Sequence, residues 1–285
     1  MILKKLNMWI LSVLLCGGLA NHSAHASGTI NIAVAANFYT TLGIIVQNFL
    51  NSNPGNTINV TPDSSGVLYN TIVANNGVNT YDMFLSADKK RPDDLVSLHP
   101  TLVVSGTEWL YAVGELEFWS PSINVSAGVV YPLTQNLVLA NPSTAPYGTA
   151  AATVLNTISG GVIAYPPLAG TTYPNGAAFV NVRANISLTK SAITSTGSIK
   201  EGFIHQSSIC TQSGSTKTFT GSHHTYAWND PTYPHAKIAQ YGIQLVNSAR
   251  PSGSGSDTLL TNFRNYLGTT SAQNVIKGYC YATTL

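Results

Sequence analysis

The apolar positions in the first third of the chain follow two alternating periodicities. Ile30, Ile32 and Val34 are apolar at every second position, which predicts a strand. Residues 38–49 are instead apolar at helical spacing. The same succession recurs with a strand at 57–62, a helix beginning at Ser64-Ser65-Gly66, and a strand from Tyr81 to Leu85. The order strand, helix, strand, helix, strand indicates an α/β fold with a parallel sheet.

The remainder of the chain continues this pattern. The segment EWLYAVGELEFWSP, residues 108–121, is predicted to form one strand. Residues 135–158 predict a strand, a polar turn and an alanine-rich helix, and residues 177–205 predict strand, turn, helix and strand. A further strand follows at 238–248 and helical segments at 259–281. The middle and the end of the chain therefore continue the α/β pattern, and the sequence contains no internal repeat or low-complexity tract.

Three strands in this pattern end in a small polar turn that opens a helix. These turns are Ala35-Ala36-Asn37, Ser64-Ser65-Gly66 and the segment from Asn141 to Gly148. Serine and asparagine are good helix caps, and Asn37 is predicted to cap the first helix. The other interpretation is functional, because a helix N-terminus offers unpaired N–H groups and partial positive charge that hold an anion without a basic residue. On this interpretation the ligand lies at the carboxyl ends of the strands, and Ser64 supports the turn.

The first 26 residues have the pattern of a secretory signal peptide. Lys4 and Lys5 precede an apolar run from Met8 to Leu15, and the segment closes with the small-x-small sequence Ala24-His25-Ala26. The apolar run is too short for a membrane span. Cleavage near Ala26 would leave 259 of the 285 residues, in the periplasm or secreted.

Without this segment the formal charge of the chain is zero. Removing Lys4 and Lys5 leaves eleven basic and eleven acidic residues. A neutral chain has no electrostatic footprint for nucleic acid or acidic membranes, although it can bind a small anion through neutral donors. Two cysteines, Cys210 and Cys280, remain, and in an oxidising compartment such a pair predicts a disulfide, the alternative being two separate buried thiols.

The sequence offers little support for catalysis or for a cation site. It contains no Gly-x-Ser-x-Gly motif, and the small residues at 252–256 do not follow a strand, which disfavours a serine hydrolase. His223 and His224 are adjacent and point to opposite sides of an extended chain, which disfavours a metal site. We therefore expect no enzymatic activity, no cofactor and no cation site. Fourteen tyrosines and four tryptophans leave a carbohydrate-binding or adhesion module as an alternative.

Seven sequence blocks, spread over nearly all of the mature chain, are similar in order and spacing to those of a known family: AVAANFYTTL, DSSGVLYNTI, YDMFLSAD, YAVGELEFWSP, LANPSTAPYGTAA, EGFIHQS and YPHAKIAQYGIQL. In these blocks the chain resembles the periplasmic molybdate-binding proteins of ABC importers, within the wider class of two-lobed oxyanion-binding proteins. The resemblance implies a two-lobed periplasmic-binding-protein fold, each lobe a mostly parallel sheet flanked by helices, joined by crossover strands.

The resemblance also implies domain boundaries and partners. One lobe would comprise residues 27–110 with about 235–285, and the other about 111–234. A tetrahedral oxyanion, molybdate or tungstate, would be captured between the lobes and delivered to the membrane permease of an ABC importer, by a monomeric protein.

The site residues that the resemblance implies are transferred by position. Ser65 matches the family's oxyanion-binding serine, and Tyr147 and Ile186 stand where the family donates backbone N–H groups. Asn37 replaces a serine and His205 replaces a tyrosine hydroxyl donor, although either residue can also donate a hydrogen bond. Because these two positions depart from the family's pattern, sulfate or phosphate stay alternatives as ligands.

Overall fold

The described part of the chain begins just after the predicted signal peptide. The computed structural model describes residues 27–75, 80–166, 173, 178–195 and 197–285, so the signal-peptide prediction for residues 1–26 lies outside the described residues. Among the residues that the structure describes, no helix has the length and apolar character needed to span a bilayer.

Twelve strands and seven α-helices are found within the described ranges. The strands are β1 Thr29–Ala35, β2 Thr57–Asp63, β3 Met83–Ser86, β4 Trp109–Gly114, β5 Leu116–Ser120, β6 Leu137–Ala140, β7 Val180–Arg183, β8 Glu201–His205, β9 Cys210–Ser213, β10 Thr216–Phe219, β11 Ser222–Tyr226 and β12 Ile238–Gln244. The helices are α1 Tyr39–Ser52, α2 Ser65–Ala74, α3 Lys90–Leu98, α4 Pro146–Ile158, α5 Ile186–Ser195, α6 Gly255–Leu267 and α7 Thr270–Gly278. Short 3₁₀ helices lie at Ala36–Phe38, Pro100–Leu102 and Gln206–Ser208.

Five of the strands form the sheet of the first lobe, in the order β2-β1-β3-β12-β4. Ile30, Ile32 and Val34 of β1 pack with residues of α1, α6 and α7 on one face, and Ala33 packs with α2 and α3 residues on the other. Because helices cover both faces, β1 is apolar at consecutive positions rather than strictly alternating.

The second lobe repeats this arrangement with the strand order β11-β5-β8-β6-β7. Leu137 and Leu139 of β6 pack in the cluster that contains the alanine-rich face of α4. Val138 between them faces Ala192 and Ile193 of α5 on the opposite side. The two-lobed α/β class predicted from the sequence is therefore confirmed.

Each sheet is mixed rather than uniformly parallel. In the first lobe β1 pairs parallel with β2 and β3, whereas β12 is antiparallel to β3 and β4. In the second lobe β6 is parallel to β7 and β8, whereas β5 is antiparallel to β8 and β11. The antiparallel strands β4, β5, β11 and β12 are those that precede or follow the two passages of the chain between the lobes.

The prediction of one strand across residues 108–121 was wrong. This segment forms β4 in the first lobe and β5 in the second, and the chain crosses between the sheets at Glu115. The apolar pattern runs on through the crossing because both strands are buried, so periodicity does not reveal it. The return passage lies between β11 and β12, and the lobe boundaries expected at 27–110 with 235–285 and at 111–234 stay a prediction.

A disulfide joins Cys210 to Cys280, as the sequence predicted. Cys210 begins β9, which follows the second-lobe strand β8, and Cys280 follows the first-lobe helix α7. The covalent link therefore connects the two lobes.

Candidate functional site

A small, largely buried cavity lies between the two lobes at the carboxyl ends of their strands. Its lining comprises Ala35, Ala36, Asn37, Ser64, Ser65, Ala87, Ala145, Pro146, Tyr147, Asn185 and Ile186. These residues end or follow β1, β2, β3, β6 and β7. The cavity volume is about 10 Å³, the space of about one water molecule. In this arrangement of the lobes the cavity therefore has room for little more than one water molecule.

Four helix N-termini converge on this cavity, two from each lobe. The 3₁₀ turn Ala36–Phe38 leading into α1 and the start of α2 belong to the first lobe, and the starts of α4 and α5 belong to the second. None of the lining residues carries a charge. Unpaired N–H groups and aligned helix dipoles give the cavity positive potential without any basic side chain, and this combination suits an anion.

Among the described residues, the start of α4 has no side-chain cap for its first backbone N–H groups. Pro146 is the first residue of the helix, and Ala145 before it makes no side-chain cap. Thr149 N donates to Ala145 O at 2.9 Å, which is the first bond of the helical ladder. The N–H groups of Tyr147 and Gly148 precede that bond and have no helical acceptor, and Tyr147 lines the cavity.

The start of α5 is arranged differently. Asn185 accepts a hydrogen bond from Leu188 N at 3.2 Å, so its side chain caps the third helical N–H. The N–H groups of Ile186 and Ser187 lie ahead of this bond, and Ile186 lines the cavity. The cap holds the turn through the third N–H group and does not involve the first two.

Ser65, the first residue of α2, has an oriented hydroxyl group. Its Oγ accepts a hydrogen bond from Ala87 N at 2.9 Å, and the residue has no exposed surface. Because this bond occupies a lone pair and not the hydroxyl hydrogen, Ser65 keeps one hydrogen with which to donate.

The Asn37 side chain does not act as sequence reasoning expected. It caps no helix, since the N-cap of α1 is Phe38 and no side-chain cap bond is present. Its amide nitrogen donates to Gln240 Oε1 at 2.8 Å and to Tyr281 Oη at 3.1 Å, so both amide hydrogens are occupied. The donor that Asn37 offers the cavity is therefore its backbone N–H.

His205 does not line this cavity. It lies with Asn37, Ser187, Lys190 and Ser207 in an adjoining cleft of about 410 Å³ between the lobes. Its Nδ1 is 2.7 Å from Ser207 Oγ, and burial, with a smaller effect of the Lys190 charge, lowers the pKa of His205 to about 3. The imidazole is therefore neutral at neutral pH.

Tyrosine hydroxyls form a buried network behind the cavity. Burial raises the pKa of Tyr281 to about 12 and raises the pKa of Tyr147 well above its ordinary range. Tyr281 Oη donates to Asn37 O at 2.9 Å and accepts from Ser207 Oγ at 2.8 Å. These neutral groups position the turn that begins at Ala36.

Direct hydrogen bonds connect the lobes around the cavity. Gly66 N at the start of α2 donates to Thr144 O of the second lobe at 2.8 Å. Ser187 Oγ donates to Ala36 O at 3.0 Å. These bonds place the helix N-termini of the two lobes side by side, so one ligand can contact donors from both.

The structure thus brings together four of the five residues implied by the resemblance: Asn37, Ser65, Tyr147 and Ile186. His205 lies in the neighbouring cleft, and the binding role of all five stays a prediction. Sequence reasoning missed Asn185, and it assigned Ser64 only to the turn although Ser64 lines the cavity. Within the described ranges, no group of three or more His, Cys, Asp or Glu residues is placed to hold a metal ion.

The fold and this anion-suited cavity between two lobes define a class of binding protein, and comparison with known proteins agrees. A family model described as bacterial extracellular solute-binding protein matches residues 30–282, and the chain belongs to this family. The resemblance stated from the sequence is confirmed at this level.

Individual relatives narrow the comparison. The chain is 36% identical to the molybdate-binding protein ModA of Azotobacter vinelandii over 149 residues, which is 51% of this chain and 56% of that protein. It is 26% identical to the molybdate-binding protein ModA of Rhodobacter capsulatus over 262 residues, 90% of each chain. The solved structure of the periplasmic molybdate-binding protein of Azotobacter vinelandii matches with a TM-score of 0.71 at 22% identity, covering 90% of this chain and 100% of that one. This structural likeness shows a shared fold.

Proposed function

We propose that this protein captures a tetrahedral oxyanion, molybdate or tungstate, between its lobes and delivers it to the membrane permease of an ABC importer. The observation that carries the proposal is the convergence of four helix N-termini on one uncharged cavity. The two relatives named as molybdate-binding proteins support this choice of anion.

The chemistry of the cavity favours a fully deprotonated anion. A doubly charged oxyanion loses its hydration on entering, so each oxygen needs a hydrogen-bond donor in exchange. The backbone N–H groups of Tyr147 and Ile186 and the hydroxyl of Ser65 are such donors. A protonated oxyanion would set its own hydrogen against one of them, and an unpaired buried donor costs about 1–3 kcal/mol.

The binding step follows from the contacts between the lobes. An open form takes the anion on the donors of one lobe, and closure then adds the donors of the other. In the closed form the bonds Gly66 N to Thr144 O and Ser187 Oγ to Ala36 O hold the lobes together. The closed shape is what the permease recognises.

The remaining properties follow from the same role. Export by the signal peptide and cleavage near Ala26 place the mature protein in the periplasm, as a monomer that binds without catalysis and without a cofactor. Sulfate and phosphate are the competing ligands, because they share tetrahedral shape and negative charge.

Calorimetric titration of the mature protein with molybdate, tungstate, sulfate and phosphate at neutral pH tests the proposal. We expect molybdate and tungstate to bind tightly and with similar affinity, since their size and charge are nearly equal, and the other two to bind weakly. Tight binding of sulfate or phosphate instead would show that the cavity is tuned to a different oxyanion. The absence of binding by all four would contradict an oxyanion function.

A further inference from the structure

Ser64 carries a buried hydroxyl group that the folded chain does not use. The residue is 3% exposed, and among the described residues its Oγ has no hydrogen-bond partner. A buried hydroxyl without a partner destabilises the state that contains it, so its presence in a native structure calls for an explanation.

Helix capping, the usual role of a serine at this position, is not the explanation. Ser64 is the N-cap of α2 and has the extended backbone of a cap, but its side chain makes no cap hydrogen bond. The N–H group of Gly66, one of the donors that a cap normally takes, donates instead to Thr144 O of the other lobe.

Other helices of the same chain show what capping looks like here. Ser254 at the start of α6 accepts from Asp257 N at 3.2 Å, and Thr269 at the start of α7 accepts from Ala272 N at 3.4 Å. The hydroxyl of Ser64 is therefore an exception to the way this chain uses a hydroxyl at a helix N-cap.

The place of Ser64 in the structure indicates a role for its hydroxyl group. The residue lines the cavity between the lobes, together with Ser65, Tyr147 and Ile186. We propose that Ser64 Oγ is a further hydrogen-bond donor to the captured oxyanion, in addition to Ser65 and the backbone N–H groups. This assignment rests on the proposed oxyanion-binding function.

If Ser64 Oγ donates to the oxyanion, removing this hydroxyl should weaken oxyanion binding without lowering the stability of the ligand-free protein. In Ser64→Ala the ligand-free protein loses only an unpartnered hydroxyl, so its free energy of unfolding should be unchanged or higher. Affinity for molybdate and tungstate should fall about 10- to 100-fold, since the complex loses one charge-assisted donor. If the Ser64 hydroxyl served only the fold, Ser64→Ala would lower the free energy of unfolding and leave the oxyanion affinity unchanged.

The experiment combines urea unfolding of the ligand-free mature protein with calorimetric titration of molybdate and of tungstate. Ser254→Ala is the matched control, because it removes a working cap: stability should fall and affinity stay at the wild-type value. Unchanged affinity in Ser64→Ala, or a loss of ligand-free stability in that variant, overturns the assignment while the proposed function stands. A wild-type protein that binds neither anion overturns the proposed function, and this assignment with it.

Discussion

The direction of one chain of hydrogen bonds decides what His205 presents to the adjoining cleft. Tyr281 Oη donates to Asn37 O, a carbonyl that can only accept, so Ser207 Oγ must donate its one hydrogen to Tyr281. The contact between Ser207 and His205 Nδ1 then requires the hydrogen to be on Nδ1. With a neutral ring, Nε2 is then an acceptor in this arrangement of the lobes, and the role of His205 as a hydrogen-bond donor to the ligand stays a prediction.

The burial of His205 predicts an acid-sensitive stability. Its folded pKa of about 3 lies below the ordinary unfolded value of about 6.5, so the neutral ring stabilises the fold fully above pH 6.5. That contribution falls by up to about 1.4 kcal/mol per pH unit between pH 6.5 and 3. In His205→Asn, the loss of unfolding free energy between pH 7 and pH 4.5 should therefore be roughly 2–3 kcal/mol smaller than in the wild type.

Urea unfolding of both proteins at the two pH values measures this difference. Nitrogen-15 chemical shifts of the imidazole give an independent readout, and they should show the hydrogen on Nδ1 at neutral pH. Equal acid dependence in the two proteins, or a hydrogen on Nε2, would contradict the interpretation of this side chain.

At the scale of elements, the candidate site is formed by the N-termini of helices. It depends on how closely the N-termini of α2 and α4 approach each other. The start of α2 meets the loop before α4 at Gly66, where a Cβ would lie 2.9 Å from both Cα and O of Thr144. A backbone neighbour at that distance has to shift. Glycine at this position thus permits the contact between the lobes.

Gly66→Ala should therefore separate closure from folding. Within α2 alone, alanine is favoured over glycine by about 1 kcal/mol, so the helix gains stability. Closure against Thr144 becomes strained by about 1–3 kcal/mol, and oxyanion affinity should fall by a corresponding factor of about 5 to 150. Calorimetric titration and small-angle scattering measure affinity and the separation of the lobes.

Gly148→Ala provides the comparison for that variant. Its Cβ would lie 2.4 Å from Ala140 O, which belongs to the same lobe, so this substitution should lower the free energy of unfolding. If Gly66→Ala instead unfolds more readily and keeps wild-type affinity, the glycine serves the fold of the first lobe rather than closure.

At the scale of the whole molecule, the lobes are connected by two chain passages and by the disulfide Cys210–Cys280. The bridge joins β9 to the residue after α7 across a sequence separation of 70. Ser207 and Tyr281, each close in sequence to one of the cysteines, also meet across the lobes at 2.8 Å. When the cavity opens, the two lobes must therefore stay joined at the side of the molecule that carries the disulfide.

Removal of the bridge should lower stability substantially. A closed loop of this length restricts the unfolded chain by about 4 kcal/mol in the chain-entropy model. The double variant Cys210→Ser and Cys280→Ser should lose about that amount of unfolding free energy, measured in urea without reductant. The wild type in reductant should match the variant, and equal stability of oxidised and reduced wild type would contradict the prediction.

The sequence by itself determined the elements and the polar turns that end the strands. Periodicity records which face of each strand or helix is buried, so it predicted the order of the strands and helices. It thereby also located the turns that contain Asn37, Ser65 and Tyr147. The sequence also predicted the disulfide, because two cysteines remain in the mature chain and an exported protein meets an oxidising compartment. The elements and the turns, unlike the disulfide, depend on residues that are neighbours along the chain.

Only the tertiary structure decided how those turns are used. The partners of Asn37 are Gln240 and Tyr281, more than 200 positions away, and they occupy its amide hydrogens. The crossing at Glu115, the span of the disulfide between lobes and the unpartnered hydroxyl of Ser64 are likewise set by distant contacts. Local sequence specifies which groups a turn carries, whereas packing between segments far apart in the chain determines which of those groups are left for a ligand.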